Sequence, residues 1–241
     1  MKVAVVIPAY NEGRTIRRIV EKSLKYSRNV LVVDDGSTDN TFTEATEAGA
    51  ILLNSKKNMG KFAVLKLGFE TILSKQNADC IIQLDGDGQH DPDDIPKFVK
   101  EIESGADVVI GQRNFNFRNM PFLRILSNII STLVITILFT IWLKDTQCGY
   151  RAYKKEILKK LLPLIKNSGF EGEAEMLAQA DIHDLKIKGV KIHTIYDNED
   201  SKVDPLRDIK AFATALAKTR IRYSRDQLNL LRRKFIQRVR Y

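Results

Sequence analysis

The chain has 241 residues, 44% of them hydrophobic and 29% charged, which suits one large α/β domain, alone or with an appendage, and excludes a disordered or low-complexity protein. A core of this size needs no covalent staples, and only two cysteines, Cys80 and Cys148, argue against a disulfide framework and for a reducing compartment. The net charge of +9 is uneven: residues 219–241 carry eight Arg or Lys and one acid, so the basicity belongs to the tail rather than the body.

Lys2–Ile7 is a near-continuous apolar run, read as a buried strand and too short for a secretory leader. It leads into Ile7-Pro8-Ala9-Tyr10-Asn11-Glu12, where Pro8 is expected to stop the strand ladder. Asn11 and Glu12 are then either contacts to a nucleotide or parts of an ordinary strand–helix turn. Arg14–Lys25 places Ile16, Ile19, Val20 and Leu24 at helical spacing. Asn29–Val33 reads as a second strand that ends in Asp34-Asp35. Adjacent carboxylates repel unless donors meet them, and a base edge and a ribose offer donors; the alternative is an acidic turn before the next helix. Thr41–Ala48 reads as a helix, Ala50–Leu53 as a third strand and Gly60–Leu73 as a helix with Lys61 near its start, either reaching a phosphate or solvated.

The fourth strand, Cys80–Leu84, runs into Asp85-Gly86-Asp87-Gly88-Gln89-His90-Asp91-Pro92. Residues two apart in an extended chain point to the same side, so Asp85 and Asp87 converge. Gly86 and Gly88 leave the backbone bare for a bulky anion. Two hard oxygen ligands beside an open face suit Mg²⁺ or Mn²⁺ holding a diphosphate. Asp91 is a candidate N-cap, with Pro92 opening a helix, and Asp107–Ile110 is a fifth strand. Strands alternating with helices imply a mostly parallel sheet covered on both faces, whose ligands bind outside the carboxyl ends of the strands. Both acidic clusters fall at such ends.

The second half is less regular. Ile125–Leu143 is free of charge over 19 residues, of which six are Ser, Thr or Asn. At about 28 Å it is long enough to span a membrane, but Asn128, Thr132, Thr136 and Thr140 form a polar stripe along it. A crossing would also separate Asp145–Arg151 from Asp85 and Asp87. An interfacial helix, or a core helix, is the alternative. Asp145–Tyr153 reads as a polar loop, Lys154–Leu162 and Glu173–Leu185 as helices, and Lys188–Tyr196 as a strand. Asp204–Tyr241 reads as helical, broken near Tyr223-Ser224. Leu228, Leu231, Phe235 and Val239 share one face among arginines, a pattern that suits an anionic membrane surface, a partner protein or solvent. No nucleic-acid recognition motif accompanies the charge, and no transmembrane block closes the chain.

Eight blocks in order resemble family 2 glycosyltransferases of the GT-A fold, and among them the polyprenyl-phosphate glycosyltransferases typified by dolichol-phosphate mannose synthase. They are residues 7–12, 33–39, 58–61, 85–92 and 109–113, then Arg124 with Ser127 and Asn128, then 145–152 and 173–176. The resemblance implies a Rossmann-like, mostly parallel sheet with helices on both faces, with residues 1–203 as catalytic domain, an interfacial helix over 122–144, and residues 204–241 as a basic helical tail. It implies that Pro8, Tyr10, Glu12, Asp34, Asp35, Lys61, Asp85 and Gln89 bind the nucleotide-sugar, carried on GDP or UDP, and that Asp85, Asp87 and Gln89 hold Mg²⁺ or Mn²⁺. Arg113 and Arg124 would hold a polyprenyl phosphate, and Asp145, Glu173 and Glu175 would line the sugar and acceptor side. The enzyme would invert the anomeric centre and transfer mannose or glucose, working peripherally on the cytoplasmic face of a membrane, with room for a membrane partner protein. Three positions depart from the family pattern: Gln112 for Ser, Phe62 for a small residue, and an acidic stretch, 196–200, where an arginine is usual before Ser201-Lys202. A saccharide or protein acceptor is the alternative within the fold. A pyrophosphorylase lacks support, since no Gly- and Arg-rich loop follows the first strand, and a non-catalytic basic module leaves Asp85 and Asp87 unexplained.

Overall fold

The computed structural model describes residues 1–75, 77–113, 122–139, 141–167, 169, 171–195, 213–214, 216–222 and 224, with backbone only for 122–125. Seven strands form one sheet: β1 (Val3–Ala9), β2 (Asn29–Asp34), β3 (Ile51–Asn54), β4 (Cys80–Gln83), β5 (Val108–Gln112), β6 (Arg151–Lys154) and β7 (Ile187–Lys191). Their order is β3-β2-β1-β4-β6-β5-β7. Pairing is parallel except where β6 lies antiparallel between β4 and β5. The helices are α1 (Ile16–Leu24), α2 (Thr41–Glu47), α3 (Lys61–Lys75), α4 (Ile95–Glu103), α5 (Phe122–Leu138), α6 (Lys155–Leu161) and α7 (Glu171–Ile182). The apolar runs of β1, β2 and β4 are buried on both faces, as strands sandwiched between helices must be.

The chain winds outward from β1 through β2 to β3, then returns to β4 on the other side of β1. That reversal opens a crevice at the carboxyl ends of β1 and β4, the usual ligand site of such sheets. Pro8 does not stop β1: Pro8 and Ala9 pair on with Val33 and Asp34. Toward β4 the ladder does end, with Leu84 N donating to Val6 O. Odd residues of β1 bond toward β2, as Asp35 N to Ala9 O shows, so the missing Pro8 N–H faces the side that β4 has left.

The predicted polar loop 145–153 contains β6. Arg151 starts this strand fully buried, because its guanidinium donates to the carbonyls of Cys148 (2.9 Å), Thr146 (3.1 Å) and Glu173 (2.7 Å). Asp91 does cap, accepting Asp93 N at 3.1 Å, but the turn it opens is a 3-10 turn, Pro92–Asp94, before α4. The strand predicted over 188–196 stops at Lys191, and only Thr194 continues as an isolated bridge to His90. The acidic stretch from Tyr196, and the tail face of Leu228, Leu231, Phe235 and Val239, lie outside the described residues. Residues 216–222 are helical, with Leu216 and Thr219 buried and Arg222 Nη1 3.3 Å from Glu175 Oε1.

Phe62, large where the family has a small residue, is accommodated by Gly172: a Cβ there would stand 2.3 Å from the Phe62 ring. Gly68 of α3 has a similar role against the sheet, where a Cβ would lie 2.5 Å from Val6 Cγ1 and 3.0 Å from Val33 Cγ2. Both neighbours are β-branched and stiff. Alanine gains about 1 kcal/mol of helix propensity over glycine, while overpacking a core costs about 1–3 kcal/mol. We expect Gly68→Ala to lose about 1 kcal/mol of stability in denaturant melts; a more stable variant would refute close packing of α3 on β1 and β2.

Candidate active site

The crevice gathers side chains from both halves of the chain. Leu84 ends the strand, and Asp85 follows with its carboxylate against the backbone of Gly149, where a Cβ would be 2.1 Å from Asp85 Oδ2. Lys61, the first residue of α3, places its ammonium 2.9 and 3.0 Å from the two Asp85 oxygens and 3.2 Å from Glu173 Oε2. Gln83 Nε2 donates to the other Glu173 oxygen, and Arg151 Nε lies 3.9 Å from it. Burial alone would raise the Asp85 carboxyl, but the Lys61 ammonium overrides this and holds it below the ordinary carboxylate range. Burial would likewise lower Lys61, yet Asp85 and Glu173 raise it above the usual lysine range. The pair is therefore charged at neutral pH, and its contribution is lost only as pH falls to the lowered Asp85 value or rises past the raised Lys61 value.

Asp34 and Asp35 are buried at the end of β2, and the fold itself meets part of their demand for donors. Asp35 accepts Met59 N (2.6 Å) and Gly60 N (2.9 Å), which pins the turn before Lys61. Asp34 Oδ1 accepts Ser37 N at 3.0 Å. A carboxylate has about four lone-pair sites, so each keeps capacity for a ligand. Asn11 adopts φ 58°, unusual outside glycine, and locks the neighbouring loop by accepting Thr38 N at 2.8 Å. Glu12 N donates to Thr41 Oγ1 at 2.7 Å, while Tyr10 is exposed. Gly86 lets β4 close on β1: a Cβ would meet Pro8 O at 3.1 Å and Glu12 Cγ at 3.5 Å.

Asp87 is half-buried, and its Oδ1 accepts Gln89 N at 2.9 Å. Asp85, Asp87 and Gln89 offer oxygen donors only, the chemistry that a hard divalent cation takes. Among the described residues no three His, Cys, Asp or Glu side chains form a ready-made metal cage. The set fits Mg²⁺ or Mn²⁺ completed by diphosphate oxygens and water, as Mg²⁺ commonly is, rather than a closed protein site.

A second buried pair lies beside the first. Arg113 Nε and Nη2 reach the two oxygens of fully buried Asp145 at 2.6 and 3.1 Å. Gln112, the departure from serine, fixes this pair: Oε1 accepts Lys144 N (2.8 Å) and Asp145 N (3.0 Å), and Nε2 donates to Asp145 O (2.9 Å). Arg124 falls in the first turn of α5, and its side chain is outside the described residues. His90 is buried against Tyr150, its Nε2 3.6 Å from Cys148 Sγ. Burial lowers the His90 imidazole and keeps it neutral at neutral pH.

The structure brings Lys61, Asp85 and Glu173 into one ion-paired cluster with Asp35 holding the turn before Lys61, while Asp34 bonds to Ser37 and Asp87 to Gln89 N. Glu175 does not share the crevice network of Glu173. It is buried, accepts Lys166 N, Asn167 N and Asn167 Nδ2 at 2.8–2.9 Å, and meets Arg222. Sequence reasoning missed Arg151 and Gln83, which orient Glu173.

Comparisons with known proteins bear on the family and the fold. The sequence model described as Glycosyl transferase family 2 matches residues 4–162. The UDP-N-acetylglucosamine–dolichyl-phosphate N-acetylglucosaminyltransferase of Methanococcus voltae is 32% identical over 216 residues, covering 80% of this chain and 86% of that one. The undecaprenyl-phosphate 4-deoxy-4-formamido-L-arabinose transferase of Photorhabdus laumondii is 34% identical over 183 residues, covering 70% of this chain and 54% of that longer one. Among solved structures, glucosyl-3-phosphoglycerate synthase from Mycobacterium tuberculosis, in complex with Mn²⁺, UDP-glucose and phosphoglyceric acid, superposes with a TM-score of 0.69 at 20% identity. It covers 92% of this chain and 79% of that one, a likeness of fold.

Both thiols are buried, and burial pushes each up to about 12. Neither should react with a thiol-disulfide reagent in the native protein at pH 8, and both should after denaturation; native labelling of Cys148 would contradict its place behind the site.

Proposed function

The chain belongs to glycosyl transferase family 2, and from that premise we propose that it moves a sugar from a nucleotide-sugar to a polyprenyl phosphate at a membrane surface. The observation that carries the proposal is the ion-paired cluster at the strand reversal, where Asp85 and Glu173 share the ammonium of Lys61 and Asp35 holds the turn before it. The names of the relatives above support UDP as the first nucleotide to test and N-acetylglucosamine beside mannose and glucose as the sugar. In this proposal Asp34 and Asp35 hold the base and ribose, with Pro8, Tyr10 and Glu12 forming the adjoining wall. Asp85, Asp87 and Gln89 would hold Mg²⁺ or Mn²⁺, which when bound offsets the charge of the leaving diphosphate.

A phosphate acceptor has a second pKa of about 6 and attacks without a strong general base. What it needs is positioning, and forked guanidinium donors give that. Asp145 holds Arg113 in one orientation for this task, and Arg124 is proposed as its companion. A hydroxyl acceptor would instead require a base. Asp145 and Glu173, the carboxylates from which it would come, are both ion-paired, which favours the phosphate acceptor.

The membrane part of the proposal is supported by α5. Its polar stripe faces inward: Thr132 Oγ1 meets Thr146 Oγ1 at 3.1 Å, and Thr136 Oγ1 donates to Ile141 O at 3.1 Å. The face opposite the buried row Ser131, Ile135 and Phe139 exposes Leu126, Ile129, Leu133 and Ile137, followed by Trp142 at 85% exposure. No helix among the described residues is long and apolar enough to cross a membrane. An apolar face turned outward beside an indole suits the headgroup boundary, and the basic residues of 204–241, appended to the domain of 1–203, suit anionic lipid on the cytoplasmic face.

Purified protein with Mn²⁺, polyprenyl phosphate and a panel of labelled UDP- and GDP-sugars should carry label into the organic phase; donor binding without transfer would redirect the search to another acceptor or a missing membrane partner. Asp87→Ala should lower transfer by about 100-fold or more with an unchanged melting curve, and full activity would remove the metal role. Leu133→Asp with Ile137→Asp should weaken sedimentation with anionic vesicles while transfer to a short-chain, water-soluble acceptor persists. Vesicle binding unchanged from the parent protein would refute the α5 surface.

A further inference from the structure

The place to which a divalent cation would be drawn already holds a positive charge. Lys61 Nζ straddles the Asp85 carboxylate at 2.9 and 3.0 Å while resting 3.2 Å from Glu173. It is not a solvated lysine that happens to lean inward. Asp35 pins Met59 N and Gly60 N immediately before it, and the Phe62 ring immediately after it is wedged against Gly172. Asp85 in turn has the Gly149 backbone at its back. Arg151 does not take Lys61's place, because its donors go to three backbone carbonyls and its Nε stays 3.9 Å from Glu173. The ammonium is hydrogen-bonded to Oδ2 and lies 2.9 Å from Oδ1, which has no hydrogen-bond partner of its own among the described residues; a second cation drawn to that oxygen would be repelled strongly by the one already on the same buried carboxylate.

We propose that Lys61 is a resident counterion that keeps the divalent cation off Asp85 until a nucleoside diphosphate arrives, and that it then turns to the diphosphate. Metal and donor thereby bind as a coupled pair. The inference rests on the nucleotide-sugar site argued above. Its chemistry is an exchange of partners. Without nucleotide, Lys61 neutralises Asp85 and Glu173, which would otherwise face each other as buried like charges. With nucleotide, the phosphate oxygens offer Lys61 new anions, the long lysine stem lets the ammonium follow them, and Asp85 is released to the cation that accompanies the diphosphate. Linkage then requires that whatever the nucleotide gains from Lys61 and the metal, the metal gains from the nucleotide by the same factor. A protein built this way takes up little metal alone.

The test is Mn²⁺ binding to the full-length protein, read from the electron paramagnetic resonance signal of free Mn²⁺, alone and with saturating UDP or GDP. Lys61→Gln should bind Mn²⁺ alone about 10-fold tighter than the parent, and the difference should vanish or reverse when nucleotide is present. Lys61→Arg, which keeps the charge, should bind Mn²⁺ alone as the parent does. Thermal melts check folding, and Lys61→Met, which keeps the buried stem, replaces the glutamine variant if that one fails to fold. Equal Mn²⁺ affinity of the neutral variant and the parent without nucleotide would overturn the inference, and so would a tightening that persists unchanged with nucleotide. In either case nucleotide-dependent Mn²⁺ binding by the parent would leave the site standing. A parent that binds neither Mn²⁺ nor nucleotide in any combination would overturn the site itself.

Discussion

Lys61 between Asp85 and Glu173 is the contact on which the rest of this architecture depends. It joins the start of α3, the end of β4 and the first turn of α7, segments far apart in sequence. Removing one partner from such a buried pair leaves an uncompensated charge and costs about 3–5 kcal/mol, whereas apolar replacements of the whole group are often neutral. Stability alone therefore does not call for it; a site that handles charge does. Its neighbours follow from it. Gly149 is bare because Asp85 occupies the space of a Cβ, and Gly172 is bare because Phe62, next to Lys61, fills the gap that α7 leaves. Asp35 has the same origin, holding the turn that aims Lys61.

The parallel half of the fold was legible because burial on both faces writes each strand as an unbroken apolar run. Val3–Ile7, Val30–Val33 and Cys80–Ile82 all show it. β6 was not, because it is four residues long and opens on an arginine. A buried Arg151 is invisible to hydropathy, since what makes it tolerable is three carbonyls from residues 146, 148 and 173 that only the folded chain brings together. The acidic positions of the site were legible from their place at strand ends, but their partners were not. Spacing predicts Asp85 and Asp87 on one side of an extended chain, but β4 ends at Gln83 and Gly86-Asp87 turns, so Asp85 faces a lysine while Asp87 folds back on Gln89 N. Glu173 and Glu175 look alike in sequence. One faces Lys61, while the other anchors residues 166–167 and the helix over 216–222.

Departures from the family pattern prove to be compensated locally rather than tolerated loosely. Phe62 is matched by the missing Cβ of Gly172. Gln112 reaches across to hold three backbone groups of residues 144 and 145, and Gly189 leaves room for it, since a Cβ there would lie 2.9 Å from Gln112 Cγ. The longer side chain thus does by direct hydrogen bonds what fixes the Arg113–Asp145 pair.

The polar stripe of α5, a difficulty for a membrane-spanning helix, fits the proposed interfacial one. Threonines 132 and 136, both half-buried, bond to the segment 141–146, so their hydroxyls are satisfied within the protein while Leu126, Ile129, Leu133 and Ile137 stay exposed. That same segment carries Asp145, one residue before Thr146. In that proposal the surface offered to lipid and the carboxylate that orients Arg113 lie on different sides of one helix, whose diameter is about 10 Å. An acceptor with an apolar chain and a phosphate head needs both ends served at once, and a single helix with its polar side turned inward brings the two environments to that spacing.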